Sequence, residues 1–168
     1  MLIVFSGLPG SGKSTIAKLL ATRLRAAYLR IDTIEQALLR AGAPLPIGPE
    51  GYAVALAVAE DTLRAGTPVV ADAVNAQAIS RNAWAELAAR LNVRYRPIGV
   101  HCSDPAEHHR RVESRTAEIE AHVLPTWVEV SATAFEPFRP GTLVIDTAQL
   151  SIADAVDRII ARLAPSAP

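Results

Sequence analysis

The stretch GLPGSGKST, residues 7–15, decides how this chain is read. Gly7, Gly12, Lys13 and Ser14 complete the pattern G-x-x-x-x-G-K-[ST]. An apolar run at 2–5 leads into it, and 16–20, apolar apart from Lys18, follows it. A buried strand, a glycine-rich turn and a helix, in that order, make a phosphate cradle. The glycines let backbone N–H groups turn inward around phosphate oxygens. Gly7, Pro9, Gly10, Ser11, Gly12, Lys13, Ser14 and Thr15 are therefore the candidate nucleotide contacts. Lys13 brings a point charge to the β- and γ-phosphates, and the Ser14 hydroxyl is offered to Mg²⁺. The helix beginning near Gly12 aims its positive end at the anion. A dinucleotide-binding turn would have no use for Lys13 and Ser14.

Outward from the cradle, short apolar runs alternate with longer amphipathic stretches. Strands are expected at 2–5, 28–31, 68–71, 97–102 and 143–145, with Pro97 opening the fourth. Helices are expected at 12–24, 33–40, 52–64, 80–91, from Ser103 or Asp104 onward, and at 151–163. In the fifth of these, Pro105 suits the first helical position. AGAPLPIGPEG, 41–51, interrupts the helical pattern with three prolines and three glycines, and APSAP, 164–168, reads as a frayed tail. Strands separated by helices imply parallel pairing through right-handed crossovers. Continuous rather than alternating apolar runs imply a sheet covered on both faces. The expectation is an α/β fold with about five parallel strands, with ligands outside the strands' carboxyl ends.

Composition bounds the rest. A chain of 168 residues, half of them hydrophobic, suits one compact domain, and no linker divides it. Seventeen basic and seventeen acidic residues cancel, so no electrostatic footprint for nucleic acid is expected. Fifteen of those basic residues are Arg. The single cysteine, Cys102, fits a reducing compartment. No run approaches the ~18 apolar residues of a membrane span. The apolar run at the start is far too short for a secretory signal. A cytoplasmic protein is expected; its oligomeric state is not legible.

Two carboxylates follow strands: Asp32 in YLRIDTIEQAL and Asp72 in PVVADAVN. Phosphoryl transfer to a hydroxyl calls for one carboxylate to accept the proton and another to hold the Mg²⁺ shell. The apolar run before Asp72 marks it as the magnesium residue; Asp32 is then the candidate base. Asp32 also suits the N-cap of a helix from Thr33, and Asn75 either touches substrate or shapes a turn. Arg111 and Arg115, four apart on one face of the expected helix, suit charge spread over transferring oxygens. The same residues could instead pair with Glu107 and Glu118 on the surface. His108 and His109 are adjacent, so they point in different directions, and with His101 they make no metal site.

The chain resembles the small P-loop kinase-like AAA-family ATPases of the zeta-toxin and chloramphenicol-phosphotransferase type. The likeness spans nearly the whole chain. It rests on GLPGSGKST, RIDTIEQAL, GPEGYAVALAVAEDTLRAGTPVVADAVN, RNAW, HCSDPAEHHRRVESR and LPTWVEV. It implies a three-layer P-loop fold with strand order 2-3-1-4-5 and helices on both faces. It implies ATP and Mg²⁺ in the cradle, with Asp32 as base. Lid arginines at Arg115 and Arg111 would lie on a lid around 108–138. The adenine would sit near Asp146 and Thr147. The run TAFEPF, 133–138, departs from the REYEPW-like run expected there, with Thr133, Ala134 and Phe135 in place of Arg, Glu and Tyr.

The function expected is transfer of the ATP γ-phosphate to a hydroxyl of a small molecule. The alternative is a nucleotide-binding ATPase or switch without such an acceptor. The acceptor is expected between loop 41–51 and the Trp127 region, with Trp127 and Tyr52 as acceptor-site aromatics or as packing under the lid.

Overall fold

β1 (Leu2–Ser6) is buried along its whole length and forms the middle of the sheet. The computed structural model describes residues 1–164. Among these, β1 is joined by β2 (Ala27–Arg30), β3 (Val69–Asp72), β4 (Tyr95–His101) and β5 (Leu143–Asp146). All pairings are parallel and the order is β2-β3-β1-β4-β5, as the resemblance implies. The run 165–168, expected to be part of a frayed tail, lies outside the described residues.

The helices are α1 (Lys13–Leu24), α2 (Ile31–Arg40), α3 (Glu50–Arg64), α4 (Ala78–Arg90), α5 (Pro105–Glu113), α6 (Trp127–Ala132) and α7 (Ile152–Leu163). Alternation along β1 divides the core. Ile3 and Phe5 pack with Ile16, Leu20, Val156 and Ile159 of α1 and α7. Leu2 and Val4 pack on the opposite face with Ala55, Ala59, Trp84 and Leu87 of α3 and α4. A sheet covered on both faces needs apolar residues at every position, which is why these strands read as unbroken runs.

Three local expectations are corrected. Pro97 is the third residue of β4, not its first. Leu2 N–H donates to Arg94 O, so the even residues of β4 face β1 and Pro97 faces the other side. There β5 begins only opposite Ile98, so the missing N–H leaves no ladder bond unmade. Asp32 is not an N-cap: α2 starts at Ile31, with Arg30 in the cap position, and Asp32 lies in the first turn, where its charge favours the helix dipole. Arg115 is not on the helix of Arg111, because α5 stops at Glu113 and is capped by Ser114. The start of α5 matches expectation: the Asp104 carboxylate accepts from the N–H groups of Ala106 and Glu107, with Pro105 at the first helical position.

Candidate active site

The cradle forms at the carboxyl end of β1. Gly7 lies so close to β4 that a Cβ there would stand 2.2 Å from Val100 O. Gly12 has φ +87, a left-handed conformation that only glycine adopts freely, and it caps α1. Neighbouring elements brace the loop. His108 Nε2 lies 2.8 Å from Pro9 O; the carbonyl can only accept, so Nε2 carries the proton. Thr147 Oγ1 donates to Ser11 O at 2.9 Å. Asn75 has φ 48, is fully buried, and donates through Nδ2 to Phe5 O at 3.0 Å. Of the two roles open to Asn75, the one occupied here is shaping the turn.

A cleft of about 290 Å³ opens over the loop, lined by Gly10, Gly12, Lys13, Ser14, Thr15, Arg30, Arg111, Arg115 and Glu118. Of the carboxylates, Asp72 ends β3 and is 2 % exposed. Its Oδ2 accepts the Tyr28 hydroxyl at 2.7 Å, while Oδ1 is buried without a hydrogen-bond partner among the described residues. Asp32 Oδ2 accepts from both Nε and Nη2 of Arg30 at 3.2 Å. Burial pushes the Lys13 ammonium down from its usual range, and the charges of Asp72 and Asp32 oppose that shift. Both carboxylates are therefore within electrostatic reach of the cradle lysine.

The arginines separate by role. Burial lowers Arg115, against the pull of Asp32, and its Nη1 is buried without a partner among the described residues. Arg111 is already engaged: Nε reaches Glu107 at 2.8 Å, Nη1 reaches Thr147 Oγ1 at 2.8 Å, and Nη2 reaches Thr147 O at 3.1 Å. Asp146 and Thr147 are not in the lining of this cleft. Asp146 Oδ1 accepts from the N–H groups of Ser103 and Ala148, both at 3.0 Å. Thr147 is 5 % exposed, with its methyl carbon 3.3 Å from where a Gly12 Cβ would be. Thr147 thus braces the cradle loop, while Asp146 ties the end of β5 to the segment that leads into α5. Trp127 stacks on His109 at 4.8 Å and meets His108 edge-on at 5.3 Å, so its ring packs against α5. Tyr52, its phenol pushed up to about 12 by burial, accepts the Asn75 N–H at 3.4 Å.

Sequence reasoning missed Tyr28, Arg30, Glu35 and Arg81, and it expected Glu118 only as a surface partner of the arginines at 111 and 115, where the structure pairs it with Lys18 and Arg30. Tyr28 and Arg30 occupy alternate positions of β2 and so share a face. A polar residue at every second position of a short edge strand was the available signal. Glu35 lies one turn beyond Asp32 on α2, and burial, then the Asp32 charge, raises its carboxyl above the usual range. Glu118 accepts from Lys18 at 3.0 Å and Arg30 at 3.1 Å, pinning segment 114–126 across the cleft. The Lys18 contact, with help from Arg30, holds the Glu118 carboxyl below its usual range although burial opposes it. No helix among the described residues is long and apolar enough to cross a membrane.

Among curated proteins, none matches this chain. Solved structures share the fold at low identity. The Mycobacterium tuberculosis APS kinase CysC, in complex with AMPPNP and APS, superposes with a TM-score of 0.68 at 18 % identity, covering 96 % of each chain. Chaetomium thermophilum Kti12, in complex with ADP-AlF3, gives 0.69 at 21 %, covering 98 % of this chain and 100 % of that one. A gluconokinase from Sinorhizobium meliloti gives 0.62 at 19 %, covering 96 % and 94 %. These likenesses show a P-loop fold of the kinase kind. The family model AAA_33, described as an AAA domain, matches residues 2–132, which includes the cradle, Asp32, Asp72 and all three cleft arginines. The chain therefore belongs to this AAA domain family.

Proposed function

We propose that this protein is an ATP-dependent phosphotransferase that moves the γ-phosphoryl group to a hydroxyl of a small molecule. The observation that carries the reading is the charge gathered at the sheet's carboxyl edge: Lys13 and Arg115 line the cleft, while Asp72 at the end of β3 and Asp32 in the first turn of α2 lie outside its lining. The charges of Asp32 and Asp72 both favour the charged forms of Lys13 and Arg115. The cradle N–H groups and Lys13 bind and orient the β- and γ-phosphates. Arg115 brings a guanidinium with an unpaired N–H group to the oxygens on which charge accumulates. Asp32 sits at the sheet's carboxyl edge, one side-chain oxygen held by Arg30, and receives the acceptor's hydroxyl proton. Segment 114–126, tied down through Glu118, acts as the lid that keeps water from the phosphoryl group.

Mg²⁺ fits the donor set. A buried carboxylate oxygen without a hydrogen-bond donor, Asp72 Oδ1, suits a cation, and Ser14 adds a neutral hydroxyl in the cleft. Ser14 and Asp72 would hold the ion. Bound Mg²⁺ supplies positive charge to the phosphate oxygens.

The test of the base is Asp32→Asn. Loss of a general base lowers turnover by about 10²–10⁴-fold. ATP affinity, read by calorimetry, is expected to stay within about twofold of wild type, since Asp32 is not among the cradle contacts. Undiminished turnover in this variant would remove Asp32 from the role.

A further inference from the structure

Asp72 has one satisfied and one unsatisfied oxygen, and the difference is made by a single residue. The Tyr28 hydroxyl donates to Oδ2 at 2.7 Å, and it is the only side-chain hydrogen bond to Asp72 among the described residues. Oδ1, also part of this buried residue, has no partner among them. The terminal torsion of an aspartate is broad, so an isolated carboxylate would swing. A strong hydrogen bond to one oxygen fixes its plane. The donor is itself well placed. Tyr28 lies on β2, whose ladder with β3 pairs Tyr28 with Val70 and Arg30 with Asp72. Its ring packs against the core cluster formed with α1 and α7. Donor and acceptor are thus carried by two hydrogen-bonded strands.

We propose that Tyr28 is a positioning residue for the metal: its hydroxyl fixes the Asp72 carboxylate so that the other oxygen stays available to the Mg²⁺ of the nucleotide complex. The proposal rests on the reading of Asp72 as a metal-holding carboxylate. Sequence offers no hint of it, because Tyr28 and Asp72 are 44 residues apart.

Tyr28→Phe keeps the ring in the core and removes only the donor. The experiment measures ADP binding to the full chain by calorimetry, first in EDTA and then with increasing Mg²⁺, for wild type, Tyr28→Phe and Asp72→Asn. In EDTA the three proteins are expected to bind ADP alike. With metal, the Mg²⁺ concentration that half-maximally tightens ADP binding should rise about tenfold in Tyr28→Phe, the scale of losing an outer partner of a metal-holding group. It should rise at least as far in Asp72→Asn. A purely structural role would shift ADP affinity with and without metal together. An unchanged Mg²⁺ response in Tyr28→Phe beside a weakened one in Asp72→Asn overturns the role of Tyr28 and leaves Asp72 in place. An unchanged response in both variants overturns both assignments.

Discussion

Arg111 and Arg115 line one cleft, yet their surroundings assign them different work. Every arm of Arg111 is occupied by Glu107 or Thr147, whereas Arg115 keeps a buried N–H group unpaired among the described residues. Arg115→Ala should therefore lower turnover by about 10²-fold or more, as loss of a guanidinium at a transferring phosphoryl group does, with little change in melting temperature. Arg111→Ala should instead destabilise the fold by about 1–3 kcal/mol, because it leaves the Thr147 clasp short of its donors. Steady-state kinetics beside denaturant titration of both variants checks the division; equal kinetic losses with equal stabilities would contradict it. The pair was legible in the sequence as two arginines at helical spacing. That the helix stops between them was not. The run after Glu113 is rich in good helix formers, and what overrides them is tertiary: Glu118 goes to Lys18 and Arg30 instead of back along a helix. Asp72 was legible because an unbroken apolar strand leads into it. Tyr28 was not, because its partner is fixed by sheet order.

At the scale of elements, the run 133–138 that departs from its expected pattern is a strap joined to α4. Arg81, buried in α4, donates to the carbonyls of Asn75 (2.7 Å), Ala76 (3.1 Å), Glu136 (3.2 Å) and Pro137 (3.1 Å). Its guanidinium lies 5.6 Å from the Phe135 ring centroid and 5.9 Å from that of Phe138. Phe138 in turn covers Gly99, where a Cβ would stand 2.6 Å from the ring. The Glu136 carboxylate accepts from Ala78 N–H at 2.9 Å and so serves the first turn of α4. Phe135 and Phe138 are thus packing residues of the strap. Arg81→Leu should cost about 2–4 kcal/mol in a denaturant titration, because four acceptors lose one charged donor. A loss below about 0.5 kcal/mol, the range of an ordinary surface change, would contradict the strap. The sequence showed RNAW as a motif but gave no sign that its arginine reaches a segment 55 residues away.

At the scale of the molecule, the strand order brings the ends of β1, β2 and β3 together, and with them Lys13, Asp32 and Asp72. Alternating strands and helices made a parallel sheet of about five strands readable, and the order itself was legible only through the family resemblance. The acceptor was not readable. Its expected surroundings, loop 41–51 and Trp127, carry no charge pattern that names a ligand, and Trp127 is used in packing on α5. The same fold is shared by a gluconokinase, an APS kinase and Kti12, so function must be decided at the cleft. The most direct measurement incubates the protein with γ-labelled ATP, Mg²⁺ and a panel of sugars, nucleosides and hydroxylated antibiotics, and follows where the label goes. A labelled phosphomonoester is expected to form in step with ADP on at least one acceptor, and none with Asp32→Asn. Label released only as inorganic phosphate, at a rate that no acceptor in the panel changes, would contradict the phosphotransferase reading and identify the protein as an ATPase.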